Sequence, residues 1–399
     1  MKKSKLRFEC AEKLNKLPPY LLSSINKIKL KAYAKKLDVI DLGMGNSDIP
    51  TPRHIVERLC DTVTNHPNTM RYPQAKGMPK FRKIVSEWMT QRFGVKVDPE
   101  TETLALIGSK EGIAHLCMAF LNPGDIALIP DPGYLVYYNG VVLAGGKVYG
   151  MSVLEKNNYL PDLTKIPENI ARKAKIMFLN YPNNPTTAVV EDLNFFREVV
   201  KFAEKYNIII VHDNAYSELT FDGYVAPSFL EVPGAKDVSV EFFSFSKMFS
   251  MPGWRVGFVV GNEYVIKHLT NFKSYVDFGI PTFIQLSALH ALKEPGDSIK
   301  EIAKVFERRA EKFVKELNKI GWKAEKPKAT MYLWTKIPEK FIKMGSLKFC
   351  EMLIRETGVV GLPGIGFGKH GEGYVRFSLV THDNRFHDVC LRLKRLLKG

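Results

Sequence analysis

The chain has 399 residues, 45% of them hydrophobic and 25% charged, which excludes a disordered or fibrous protein and provides for a large core. No apolar run approaches the roughly 18 residues of a membrane span, and the charged start Met1-Lys2-Lys3-Ser4-Lys5 is not that of a secretory leader; a cytoplasmic protein with no membrane partner is expected. The formal charge of +16 raises nucleic-acid binding, but the lysines are spread among glutamates, with only a modest excess over 27–36, so the reading is a solvated surface, no nucleic acid, and some attraction for anionic substrates.

In chain order, 18–37 reads as an N-terminal arm and helix, and Asp41-Leu42-Gly43-Met44-Gly45-Asn46 as a strand running into a loop. Helices follow over 52–65 and 78–92. From Thr103 onward, short β-branched runs alternate with amphipathic helices, with strands predicted at 103–107, 126–129, 147–151, 175–180, 208–212, 239–245 and 255–260. After Pro281 come a long helix over 299–317, strands near 331–335 and 374–379, and a final helix over 385–397. The expected fold is α/β: residues 41–281 form a large domain around a mostly parallel seven-stranded sheet, residues 282–399 a smaller α+β domain, and residues 1–40 an arm packing with the latter. The five cysteines are scattered and never spaced as Cys-x-x-Cys, so reduced thiols are expected.

Four polar groups stand where predicted strands end or run. In Asn180-Tyr181-Pro182-Asn183-Asn184-Pro185-Thr186 two prolines stiffen a loop and present the Asn184 amide in a fixed direction, although such a segment alone is usually a plain turn. Asp213 follows the apolar strand Ile208-Ile209-Ile210-Val211-His212 and must be paired or hydrogen-bonded; a helix N-cap is as good a reading of it alone, but does not account for Tyr216 three residues on. Ser244-Phe245-Ser246-Lys247 closes one strand and Arg255 opens the next; a lone lysine there is most often solvated, and is reactive only if desolvated or beside a cation. Arg376 lies inside the apolar strand Tyr374-Val375-Arg376-Phe377-Ser378, suited to a carboxylate held by two parallel hydrogen bonds or, equally, to a structural ion pair.

Taken together and in order, Asn-Pro-Thr, Asp-x-Ala-Tyr, Ser-x-Ser-Lys with an arginine eight later, and the late arginine resemble the class I/II aminotransferases of pyridoxal phosphate (PLP) fold type I, from Asp41 to the C-terminus. The resemblance implies that Lys247 holds PLP as an imine and carries the proton at the substrate α-carbon, while Asp213 pairs with the ring nitrogen. It implies that Tyr216 and Asn184 bond the phenolic oxygen and that Tyr134 stacks on the ring. Ser109 and Lys110 of Gly108-Ser109-Lys110-Glu111-Gly112, with Ser244, Ser246 and Arg255, resemble the phosphate ligands, and Tyr72 one lent by a second subunit of a homodimer. Arg376 resembles the arginine that binds the substrate carboxylate, with Asn184 and the backbone at Gly45 beside it. Two positions depart from the family pattern: Thr187 where glycine is common, and Ser47 where proline is.

The implied reaction moves an amino group between an L-amino acid of the alanine, aspartate or LL-diaminopimelate type and a 2-oxo acid such as 2-oxoglutarate. A fold-type-I lyase or decarboxylase would share the cofactor site, and a PLP-sensing regulator would need a DNA-binding module for which no helix-turn-helix signal exists. A nicotinamide dehydrogenase would need a glycine fingerprint at its first strand; Gly364-Ile365-Gly366-Phe367-Gly368 lies too late and reads as a flexible loop near the substrate. His382 and His387 fit no common zinc spacing, and no metal is expected.

Overall fold

The computed structural model describes residues 8–17, 21–34 and 36–398. Residues 18–20 and 35 of the expected N-terminal segment lie outside these, and its helix runs Leu21–Ala34. A two-residue strand β1 (Ile40–Asp41) precedes seven strands, β2 (Thr103–Leu106), β3 (Ile126–Asp131), β4 (Lys147–Ser152), β5 (Ala174–Leu179), β6 (Ile209–Asp213), β7 (Ser239–Ser244) and β8 (Gly257–Gly261). These seven form one sheet in the spatial order β2-β8-β7-β6-β5-β3-β4. Strands β3 to β7 pair in parallel, and β8 runs antiparallel to both its neighbours.

Near-continuous apolar composition is what a strand needs when both of its faces are covered. Alternate residues divide between two cores. Leu104, Phe178, Val211 and Phe242 pack with the helices Ser109–Phe120, Leu135–Leu143 and Glu263–Val276 on one face. On the other, Ala105, Phe243 and Phe258 meet the helix Pro79–Phe93, and Met177 and Ile210 meet Asn194–Tyr206. Ala288, Ala291 and Leu292 of the helix Thr282–Lys293 join the cluster of Phe243 and Phe258, so this packing continues past Pro281, where the texture of the sequence changes.

Because β5, β6 and β7 are parallel, their carboxyl ends reach one edge of the sheet, and Asn180, Asp213 and Ser244 arrive there together. Gly257 of β8 pairs with both Ser244 and Leu106, which brings Arg255 and Ser109 to the same edge.

Strands β9 (Tyr332–Lys336), β10 (Val359–Val360), β11 (Leu362–Pro363) and β12 (Tyr374–Ser378) lie apart from that sheet. β11, β12 and β9 make an antiparallel sheet in that order, and β10 pairs in parallel with β1. A separate cluster around Phe313, Trp322, Phe349 and Phe377 takes in Ile25 and Ala32 from the N-terminal helix. Among the described residues no helix is long and apolar enough to cross a membrane.

Candidate active site

Lys247 lies on the one-turn helix Phe245–Met248 directly after β7, where the Ser244 hydroxyl accepts the Ser246 amide at 3.3 Å and fixes the turn. Its Nζ donates to the Gly45 carbonyl at 2.8 Å, joining the loop after β1 to the edge of the large sheet. Burial holds this amine below the ordinary lysine range; the Arg376 and Arg255 charges act with it, and Tyr332 and Asp213 act against it. A lysine so placed loses its proton more readily than a solvated one, which a nucleophile or a base requires.

Asp213, at the end of β6, accepts the Tyr137 hydroxyl on Oδ2 at 2.8 Å, while its Oδ1 is buried without a partner. Burial pushes its carboxyl up to about 6 against the opposing effects of Tyr137, His212, the Ala215 backbone and Lys247. Tyr137 is stacked on Phe178 with ring centroids 5.0 Å apart, and Tyr134 meets it edge-on at 5.8 Å.

The loop after β5 is held by its own amides. Asn180 Nδ2 donates to the Asp213 carbonyl at 2.7 Å, and its Oδ1 accepts the Asn184 amide at 2.8 Å. Asn183 Oδ1 accepts the Thr186 amide at 3.0 Å. Thr187 takes φ +62, a left-handed conformation that glycine adopts without strain, which is the physical reason glycine suits that position.

With its backbone so fixed, Asn184 accepts Arg376 Nη1 on Oδ1 at 2.7 Å, and Arg376 Nη2 donates to the Gly43 carbonyl at 2.9 Å. The guanidinium carbon lies 4.0 Å from the Tyr332 ring centroid and 4.8 Å from that of Phe367. Among the described residues no carboxylate pairs with Arg376, and its Nε is buried without a partner. That decides against the structural ion pair that its sequence context left open.

Gly108 (φ +77), at the start of the helix Ser109–Phe120, leaves room for Arg255: a Cβ there would stand 2.5 Å from Arg255 Nη2. Arg255 itself has φ +54 and donates to the Pro252 carbonyl at 3.0 Å. Arg255 thus lies at the N-terminus of the helix that Ser109 opens, with Ser244 paired to Gly257 beside it, and the free amides of a helix N-terminus favour an anion. Lys110 is exposed on the first turn of that helix.

Tyr72 is 85% exposed and lies against Phe278, ring centroids 5.0 Å apart. Tyr137, Tyr332, Phe367 and the Gly43 carbonyl touch these residues as well, although the sequence assigns no role to any of them individually. Two signals for them exist: Tyr137 stands three residues after Tyr134, and Tyr332 and Trp334 alternate on the strand that pairs with Arg376. Among the described residues Glu111, His115 and Asp277 are spaced as metal ligands, but the Lys273 ammonium already bonds both carboxylates, at 3.1 and 2.7 Å.

Each orphaned buried polar atom costs about 1–3 kcal/mol. Here the orphans specify a ligand: a proton donor or cation for Asp213 Oδ1, an anion for Arg376, and a second anion at the helix N-terminus. A phosphorylated, protonated pyridine beside a lysine, with an amino or oxo acid next to it, meets all of these, so the residues present fit pyridoxal phosphate.

The family model for aminotransferase class I and II matches residues 37–392. The LL-diaminopimelate aminotransferase of Moorella thermoacetica is 46% identical over 97% of this chain and 98% of its own. A putative aminotransferase, AatC, of Rhizobium meliloti is 45% identical over 97% and 95%. The structure of BacF from Bacillus subtilis with substrate bound superposes with a TM-score of 0.93 at 38% identity, covering 98% of each chain. The chain therefore belongs to the class I and II aminotransferases, PLP-dependent enzymes of fold type I.

Proposed function

We propose that this aminotransferase takes LL-diaminopimelate as a substrate, with 2-oxoglutarate and glutamate as the other oxo acid and amino acid pair, and that Lys247 is its central residue. The arrangement that carries the catalytic reading is the convergence of Lys247, Asp213 with its bare Oδ1, and Arg376 with no carboxylate partner at one sheet edge. The substrate reading rests on the 46% identity to a relative of that name.

Bound pyridoxal phosphate supplies an aldehyde that accepts the amino group and a ring that spreads the electron pair left at the α-carbon. Lys247 would hold the cofactor through its amine and would take and return the substrate's α-proton. Asp213 Oδ1 would keep a proton on the ring nitrogen. Asn184 and Tyr216 would hold the phenolic oxygen, Tyr134 would cover the ring, and Ser109, Lys110, Ser244, Ser246 and Arg255 would hold the phosphate. Arg376, with Asn184 and the Gly45 backbone, grips the substrate carboxylate, which favours breaking the Cα–H bond over losing the carboxylate.

From Arg376 a row of rings leads outward: Phe367, Trp334 and Tyr374, the last two stacked at 5.0 Å. It ends where the Tyr374 hydroxyl donates to Glu155 at 3.1 Å and Lys336 pairs with Glu155 at 2.6 Å, a rim that offers both signs of charge to the zwitterionic far end of diaminopimelate.

A panel of amino donors with 2-oxoglutarate tests the substrate. Glutamate formation is expected to be fastest from LL-diaminopimelate, and a preference of tenfold or more for alanine or aspartate would refute that choice. Arg376→Ala removes two charge-assisted hydrogen bonds to the carboxylate and is expected to raise KM for amino and oxo acids alike by about 10²-fold.

A homodimer, a division into domains along the expected lines of 41–281 and 282–399, with the helix Thr282–Lys293 kept on the large one and the arm on the small, and a cytoplasmic setting belong to the same proposal. Tyr72, Tyr275, Val276 and Phe278 are each more than half exposed, and an apolar patch of this kind suits a subunit interface. All five cysteines are free, as a reducing compartment would keep them. Sedimentation of the holoenzyme is expected to give the mass of two chains, and a monomer retaining full activity would contradict the role of Tyr72.

A further inference from the structure

We propose that Tyr332 is a further positioning residue of this site, the link through which a carboxylate arriving at Arg376 acts on the Tyr216 hydroxyl and the Lys247 amine. The inference rests on the cofactor-site reading above and adds to it a residue to which that reading gives no role.

Tyr332 is 3% exposed and opens β9 opposite Ser378. Its ring lies 4.0 Å from the Arg376 guanidinium carbon, and its hydroxyl accepts the Tyr216 hydroxyl at 3.2 Å. The same hydroxyl lies so close to the backbone at Gly45 that a Cβ there would stand 2.0 Å from it. The Gly45 carbonyl is in turn the acceptor for Lys247. One phenol therefore touches the carboxylate grip, the tyrosine expected on the cofactor oxygen, and the loop that holds the catalytic amine.

Its place is fixed from behind. The Tyr332 amide donates to Thr330 Oγ1 at 3.3 Å, the Thr330 amide to the Leu219 carbonyl at 2.8 Å, and the Phe221 amide to the Lys328 carbonyl at 2.8 Å. The approach to β9 is thus tied to the segment that follows Tyr216, and the two hydroxyls are held as a pair.

Four groups from four elements face this phenol: Tyr216 after β6, Lys247 after β7, Arg376 on β12, and Tyr134 at the start of the helix Leu135–Leu143. Burial by itself would raise the Tyr332 phenol, but the Arg376 and Lys247 charges outweigh it and hold it below the usual tyrosine range. Burial, with Tyr332 adding to it, sends Tyr216 the other way. Tyr332 is therefore the acceptor of the pair and Tyr216 the donor. A carboxylate bound to Arg376 cancels the charge that depresses Tyr332, tightens its proton, and releases the Tyr216 hydroxyl toward the cofactor.

The test uses Tyr332→Phe, which keeps the ring over Arg376, and Tyr332→Leu, which removes ring and hydroxyl together. Two quantities are read on each holoenzyme: the pH midpoint of the bound cofactor's absorbance change, without ligand and with saturating maleate, and the Kd of maleate. In Tyr332→Phe the ligand-free midpoint is expected to fall by about half a pH unit or more, and the displacement caused by maleate to shrink by about half. Its maleate Kd should stay within about threefold of wild type, whereas Tyr332→Leu should bind maleate about tenfold more weakly. A Tyr332→Phe enzyme whose midpoint and maleate displacement equal those of wild type overturns the proposal. A wild-type protein that shows no bound-cofactor absorbance after saturation would instead refute the cofactor-site reading on which it rests.

Discussion

Replacing Lys247 with alanine is expected to lower turnover by at least about 10⁴-fold, because the proposed site asks one side chain both to hold the cofactor and to move the α-proton. No neighbour can take over. The Tyr216 phenol is raised well above the usual tyrosine range by its burial and by Tyr332, which leaves it a poor base. The loss should not come from unfolding. The Lys247 amine is held below its ordinary range chiefly by burial, so its removal relieves a cost in the apoprotein. Thermal melting of apo Lys247→Ala is accordingly expected at or above the wild-type temperature, and a lowered melting temperature combined with residual turnover within a hundredfold of wild type would contradict the assignment.

Asp213→Asn is the second large effect, with turnover expected to fall by about 10³-fold through loss of the charge that holds a proton on the ring nitrogen. The same substitution has a consequence in the apoprotein. The Asp213 carboxyl is raised from 3.8 to about 6 by burial, so between those values the folded chain binds more protons than the unfolded one. Apoprotein stability therefore falls as pH rises from about 4 to about 6, by at most about 3 kcal/mol. Asp213→Asn should flatten that decline, while cofactor, by offering a proton to Oδ1, should reverse it in the wild type. Melting curves of apo and holo forms at pH 4 and 7 check both signs.

Much of this fold can be read from local chemistry. The inner strands of the large sheet are largely apolar runs bounded by turn formers, such as Asn122-Pro123-Gly124-Asp125 before β3, and a parallel sheet then obliges the polar residues at the strand ends to meet. That obligation is why Asp213, Asn184, Lys247 and Arg255 are visible before any coordinates.

What escapes the sequence depends on register between distant segments. Tyr332 reads as an ordinary aromatic in a strand until β9 is paired against β12 and its ring falls under Arg376. The run Gly364–Gly368, read as a flexible loop, is instead a tight turn with Gly364 and Phe367 buried. Asp131 anchors its continuation by accepting the His370 amide at 3.1 Å. The helix Thr282–Lys293 follows a change in texture at Pro281, yet packs against the large sheet because Ala288 and Ala291 present small faces to its core.

Reduction of the holoenzyme with borohydride, followed by peptide mapping, bears most directly on the central claim. A pyridoxyl adduct on Lys247 at one equivalent per chain, absent after Asp213 and Arg376 are left intact but Lys247 is replaced, is the predicted result. An adduct on another lysine, or none on a cofactor-saturated protein, would contradict the account of this site.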